Sequence, residues 1–266
     1  MISTNEGIVV TGAARGIGKA LAARLVAEGH RVVLNDLDAN LTAAAAAEVG
    51  AHAVAGDAAS ENGVKALVSA ARAHLGRIDA WFANAGVVRG RGLDATEAQW
   101  QMSWEVNTMA HVRAARQLVA DWSATGGGRF VITASAAGLL TALGTAPYSV
   151  TKHASVAFAE WLSATYRHHG VVVQAICPQG VVTDMLDETG PMRDILIDDG
   201  LLTAEEVADA TWQALQDDRF LILPQPAVGE HYRRRATDTD RWLGGMNRLQ
   251  RHLEATSVDA ANTSRD

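Results

Sequence analysis

The stretch "GIVVTGAARGIG", residues 7–18, joins an apolar, β-branched run to three glycines at positions 12, 16 and 18. A run of that kind, ending in clustered glycines that open an Ala/Leu-rich segment, predicts a strand, a tight turn and a helix in immediate succession. Glycines let the main chain turn sharply and approach a ligand closely. The start of the helix adds free N–H groups and the positive end of its dipole, which together suit a pyrophosphate. The glycines carry little weight alone, and the strand before and helix after give the reading its force. Gly12, Arg15, Gly16, Ile17 and Gly18 are therefore candidate cofactor-binding residues.

Working outward, short β-branched runs recur at 7–10, 31–34, 51–54, 80–83, 129–133, 171–176 and 220–223. Helical segments separate them at 16–28, 39–49, 61–75, 104–123, 148–168 and 203–216, the last opening on a Thr203/Glu206 capping-box spacing. Continuous apolar strands alternating with helices predict an α/β fold: one doubly wound Rossmann domain, with a seven-stranded parallel sheet covered by helices on both faces. The pattern breaks at "LPQPAVG". The expected division is thus a cofactor-binding catalytic domain over 1–223 and a C-terminal extension over 224–266, with a helix around Trp242 to Leu253 and a frayed polar end.

Composition narrows the class. Over 266 residues the net charge is -7, with 48% hydrophobic and 20% charged residues. Nucleic acid is disfavoured as a partner, because phosphate recognition needs a concentrated basic face. The run Arg233-Arg234-Arg235 is the one dense basic patch, expected as a solvated face or a salt-bridged subunit contact. The single cysteine, Cys177, excludes an intrachain disulfide framework and is expected as a buried strand residue. The N-terminus lacks a signal-like segment and no run reaches membrane-spanning length, so a cytoplasmic location and no membrane partner are expected. The acidic pairs Asp198-Asp199 and Asp217-Asp218 lack His or Cys companions, and no metal is expected.

Asp36 stands eighteen residues beyond Gly18, at the end of the second strand. A carboxylate there accepts hydrogen bonds from ribose hydroxyls and repels a 2'-phosphate, which favours NAD over NADP. Arg15 pulls the other way, but desolvating Asp36 against a phosphate dianion carries a large penalty. Asp57 follows the third strand and suits adenine binding or a loop cap, with Ala58 beside it. Further on, "YSVTK" sets Tyr148 and Lys152 four residues apart, one helical turn, so a phenol and an ammonium reach the same small volume.

These motifs together resemble the classical short-chain dehydrogenases/reductases. The resemblance rests on "TGAARGIG", Asp57, "NAG" at Asn84-Ala85-Gly86, Asn107 in "WEVN", Ser135 in "TASAAG" and "YSVTK", in order and at family spacing across about residues 7 to 186. It implies a catalytic tetrad of Asn107, Ser135, Tyr148 and Lys152. Tyr148 would be the acid/base, its pKa lowered towards neutrality by Lys152, which would also hold the nicotinamide ribose. Ser135 would bond the substrate oxygen, and Asn107 would hold a water extending the relay. Pro178, Val181 and Thr183 would contact the nicotinamide. Two positions depart from the pattern: Gln179 replaces a glycine in "CPQGVVTDM", and Ala134 stands where a second serine is common.

The resemblance places a substrate lid at about 184–202, whose Met185, Leu186, Met192, Ile195, Leu196 and Ile197 suit either an apolar pocket or helix packing. Ala137, Leu139 and Leu143 are further pocket candidates. The expected activity is NAD-dependent interconversion of a hydrophobic secondary alcohol and a ketone. The alternative is an NAD(H)-binding regulator of the same fold without turnover, and a complete tetrad argues against it. An epimerase or dehydratase would need a larger substrate domain. A homotetramer or dimer is expected, joined through the long helices that carry Trp104, Trp122, Phe158 and Trp161, with residues 225 to 255 reaching across a subunit interface.

Overall fold

Strands form where the apolar runs stand, and their order sets the site. The computed structural model of the protein describes residues 4–188, 192–198 and 200–263. The strands are β1 (Gly7–Thr11), β2 (Arg31–Asn35), β3 (His52–Ala53), β4 (Ala80–Ala83), β5 (Gly128–Thr133), β6 (Val171–Ile176) and β7 (Leu221–Ile222). They make one parallel sheet in the order β3-β2-β1-β4-β5-β6-β7. The order reverses between β1 and β4, and at such a switch point the strand ends diverge and leave a crevice for a ligand.

The strands are mostly apolar because both sheet faces are covered, and the buried polar residues Arg129 of β5 and Gln174 of β6 hydrogen-bond each other. Val9 packs into one core layer while Ile8 and Val10 pack into the other, the alternation a pleat imposes. Helices α1 (Gly16–Ala27), α2 (Ala39–Val49) and α10 (Ala204–Leu215) cover one face, and α3 (Glu61–Leu75), α5 (Ala110–Ala124) and α7 (Ala146–Tyr166) the other. The two edge strands are shorter than the sequence runs predict, 52–53 rather than 51–54 and 221–222 rather than 220–223. An edge strand has a single neighbour to hold its ends in register.

The helix expected over 104–123 begins earlier. Helix α4 (Glu97–Trp104) opens on a capping box in which Thr96 and Gln99 satisfy each other's main-chain N–H groups, and a π turn at Glu105–Met109 links it to α5. Short helices α6 (Ala137–Leu140), α8 (Asp184–Asp187) and α9 (Met192–Asp198) surround the strand ends. The extension holds two helices rather than one, α11 (Pro226–Thr237) and α12 (Thr239–Thr263). Val228 of α11 is fully buried in the same core layer as α3 and α5. Within the expected lid, residues 189–191 and 199 lie outside the described residues, and with them Asp199.

Candidate active site

The glycine turn exists because two strand ends meet there. Gly12 has φ +61° and Gly16 φ +53°, and a Cβ on Gly12 would stand 2.7 Å from the Ala85 Cα. Any side chain at position 12 is thus excluded by both conformation and space. Asn84 locks the junction: its Nδ2 donates to the Thr11 and Gly12 carbonyls at 3.1 and 3.0 Å, and the Asn84 and Ala85 N–H groups both donate to Thr11 Oγ1 at 3.1 Å. Asp36 reaches back from β2, accepting from the Ala14 N–H at 3.0 Å and the Leu37 N–H at 2.7 Å. Arg15 pairs with Asp184 at 2.7 Å, so its charge is already met.

Asp57 caps its loop, the second of the two readings the sequence left open. It accepts from the Ala59 and Ser60 N–H groups and also lines the crevice beside Ala58. Burial raises its carboxyl pKa, but hydrogen bonds from Ser60 and Ala59 and the Arg113 charge outweigh that and hold it below the ordinary value.

One cavity of about 760 Å³ runs from this turn to the chemical end. Its wall includes Gly12, Arg15, Gly16, Ile17, Gly18 and Asp36 at one end, Asn84, Ala85 and Gly86 midway, and Ser135, Tyr148 and Lys152 beyond, with Pro178, Val181 and Thr183 alongside. Every sequence-predicted cofactor-binding or catalytic residue except Asn107 lines it, whereas of the pocket candidates Leu139 is buried in the core and Ile197 is exposed, and neither belongs to the wall. Asn107, fully buried in the π turn, lies behind the wall. Its Oδ1 accepts from the Val87 N–H at 2.8 Å, and its Nδ2 donates to the Val87 carbonyl at 2.9 Å and to Thr151 Oγ1 at 3.1 Å. The Asn107 carbonyl accepts from Ser155 Oγ at 2.6 Å. Its side chain therefore fixes the "NAG" turn against α7.

Ser135 Oγ accepts from the Ala137 N–H at 3.0 Å and bonds the Tyr148 hydroxyl. Lys152 is 3% exposed, donates to the Thr133 carbonyl at 2.7 Å, and sits 5.6 Å from the centroid of the Tyr148 ring. Burial lowers the Lys152 pKa to about 8. Tyr148 differs from the expectation in direction. Burial raises its pKa, the Ser135 bond lowers it in part, and Cys177 raises it further. The low-dielectric surroundings dominate, and the Lys152 ammonium is turned to the Thr133 carbonyl. Cys177 is buried, as expected, and burial pushes its thiol up to about 12.

Sequence reasoning missed the far wall. His231 of α11 and Trp242, Met246 and Leu249 of α12 line the cavity, with the His231 and Trp242 ring centroids 6.0 Å apart. The segment expected to cross a subunit boundary folds over its own pocket. Arg235, read as part of a solvated or intersubunit patch, donates to the Leu139 carbonyl and approaches His153 Nε2 at 3.3 Å, while Arg233 and Arg234 stay exposed. The departure at Gln179 has a partner there, since its N–H donates to Gln225 Oε1 at 3.1 Å and Gln225 Nε2 donates to the Gly180 carbonyl at 2.9 Å. Asp217 and Asp218 are held by Arg219 and Arg129.

His111, on α5 one turn past Asn107, is 1% exposed, and neither ring nitrogen meets a hydrogen-bond partner among the described residues. Burial, reinforced by the Lys152 charge, lowers its pKa to about 3. The unfolded chain, with an ordinary histidine, binds the extra proton first. Stability should therefore be full above about pH 6.5 and fall as pH drops towards 3, with a slope of up to about 1.4 kcal/mol per pH unit. Urea unfolding of His111→Leu at pH 5 and pH 7 should show this slope removed, and an unchanged slope would contradict it.

The same arrangement recurs in known proteins. The short chain dehydrogenase family profile matches residues 6–194. The 1-deoxy-11-beta-hydroxypentalenate dehydrogenase of Streptomyces avermitilis is 38% identical, covering 80% of this chain and 82% of that protein. The (+)-borneol dehydrogenase 1 of Salvia officinalis is 30% identical, covering 80% and 88%. A short chain dehydrogenase/reductase from Burkholderia phymatum, solved in complex with NAD, superposes with a TM-score of 0.83 at 28% identity, covering 90% of this chain and 96% of that one. With the glycine turn, the switch-point crevice and the Ser-Tyr-Lys group all in place, this chain belongs to the short chain dehydrogenase family of alcohol/ketone oxidoreductases.

Proposed function

We propose that the protein oxidises an apolar secondary alcohol to a ketone, or reduces the ketone, with NAD as cofactor and Tyr148 as acid/base. The observation that carries this is the single cavity joining a glycine turn at one end to Ser135, Tyr148 and Lys152 at the other. The turn fits a dinucleotide, because positive-φ glycines and the open start of α1 leave room and N–H groups for a pyrophosphate. Bound there, the nicotinamide would supply the hydride acceptor or donor. Asp36 supports NAD over NADP, since it faces the crevice from the end of β2 and its nearest cationic candidate, Arg15, is occupied by Asp184. Pro178, Val181 and Thr183 suit the nicotinamide end.

The chain's own residues then divide the proton chemistry. Ser135 holds the substrate oxygen and steadies charge developing on it. Tyr148 moves the hydroxyl proton, and Lys152 holds a positive charge beside the Tyr148 ring and favours the phenolate. Asn107 positions this group by anchoring Val87 and Thr151. Leu143, Met185 and Leu186 give the substrate half its apolar lining, which supports a hydrophobic substrate.

Asp36→Ala tests the cofactor choice. The ratio of kcat/KM for NAD over NADP should fall about tenfold or more, and an unaltered ratio would shift recognition to main-chain geometry. We also propose a cytoplasmic homodimer or homotetramer. Met102 and Trp104 on α4 and Val150 and Trp161 on α7 are large and exposed, which supports association through these helices, whereas Trp122 is buried on its own sheet. Light scattering at the mass of one chain would sink that assembly.

A further inference from the structure

We infer that the C-terminal extension is the roof of the substrate pocket, and that His231 and Trp242 in it select a rigid polycyclic secondary alcohol carrying a second, hydrogen-bond-accepting oxygen far from the reacting carbon. The inference rests on the oxidoreductase reading and names its substrate class.

Three observations converge. The extension lies beyond the 6–194 span that the family profile matches. It is tied to the catalytic elements at both ends of α11: Gln225 clamps the main chain of Gln179 and Gly180, and Arg235 holds the Leu139 carbonyl and His153, the residue after Lys152. A segment held in this way keeps a fixed distance from Tyr148. Finally, Trp242, Met246 and Leu249 recur at helical spacing along one face of α12 and meet the cavity, while Arg241, Asn247 and Arg248 on the other faces are exposed.

The chemistry of that roof is specific. Met246 and Leu249 are apolar and bulky, which suits a rigid ring skeleton. The His231 and Trp242 rings stand 6.0 Å apart, and their ring nitrogens make no hydrogen bond among the described residues. An indole nitrogen is a donor only, and a neutral imidazole has one donor. Ring donors set beside Met246 and Leu249 complement an acceptor, a carbonyl or a carboxylate, and leaving them unpaired against a substrate that lacks it is penalised.

The test uses the full chain with NAD and three alcohols: cyclohexanol, borneol and 5-hydroxycamphor, which adds a distant carbonyl to the bicyclic frame. The wild type should favour 5-hydroxycamphor over borneol in kcat/KM by about tenfold. His231→Leu should lower kcat/KM for 5-hydroxycamphor about tenfold more than for borneol, chiefly through KM, and His231→Gln, which keeps a donor, should restore most of it. Met246→Trp should reduce both bicyclic alcohols about tenfold more than cyclohexanol. Equal losses across the three alcohols, or oxidation of cyclohexanol without the bicyclic pair, would overturn the roof assignment while leaving the oxidoreductase reading intact. Oxidation of none of the three by the wild type would overturn that reading and the roof with it.

Discussion

Tyr148→Phe yields a folded chain that still binds reduced cofactor and turns substrate over about a hundred- to ten-thousand-fold more slowly. The size follows from what a positioned acid/base contributes. The change removes one oxygen from a partly buried ring whose hydroxyl bonds Ser135, so packing is preserved. Ser135 keeps its bond from the Ala137 N–H and remains oriented. The loss should appear in kcat, with cofactor fluorescence titrations giving a Kd within about threefold of the wild type. Retained turnover would remove Tyr148 from the proton path. Because burial holds the phenol above its usual range, its ionised form has to be favoured by the Lys152 charge and by hydrogen bonds to its oxygen.

Lys152→Met is expected to separate activity from stability. Turnover should fall at least about a hundredfold, since the substitution deletes the positive charge beside Tyr148. Thermal stability should rise. Burying the Lys152 ammonium lowers its pKa to about 8 from an ordinary 10.5, which corresponds to about 3 kcal/mol disfavouring the charged form. The lost bond to the Thr133 carbonyl offsets about 1 to 2 kcal/mol of that. The net gain should lift Tm by a few degrees for a chain of this length. The unfolded state binds more protons between pH 8 and 10.5, so wild-type stability should also rise with pH across that window while the variant's should not. Calorimetry showing a lower Tm for Lys152→Met would mean that the ammonium stabilises the fold as well as serving the chemistry.

The sequence made legible what depends on burial from two sides and on chain spacing. β1, β4, β5 and β6 are paired on both edges and covered on both faces, so they are largely apolar, and the buried Arg129 and Gln174 are tolerated because they bond each other. β3 and β7 are edges, and composition alone did not show that pairing stops after two residues. The glycine turn was readable because no other residue fits Gly12 against Ala85. Tyr148, Ser135 and Lys152 were readable because their spacing resembles a known pattern.

The rest depended on tertiary contacts. Pro226 reads as a breaker, yet proline is well suited to the first turn of a helix, and α11 starts on it. The Thr96/Gln99 box was a local signal for α4 that the apolar pattern further along masked. Nothing local says that Trp242, Met246 and Leu249 turn towards the cavity, because that depends on Arg235 reaching Leu139, 96 residues away in the chain. The direction of the Tyr148 pKa was equally hidden, since it follows from burial rather than from the four-residue interval to Lys152.

The central claim is that one cavity brings NAD, a secondary alcohol and Tyr148 together for hydride transfer. The most direct measurement is oxidation of borneol and 5-hydroxycamphor carrying deuterium at the carbinol carbon, with NAD, following NADH absorbance and the label by mass spectrometry. The account predicts NADH formed in step with ketone, deuterium on the nicotinamide, and no product from Tyr148→Phe above about a hundredth of the wild-type rate. Tight NADH binding without turnover of any alcohol, or turnover that leaves no label on the nicotinamide, would contradict it.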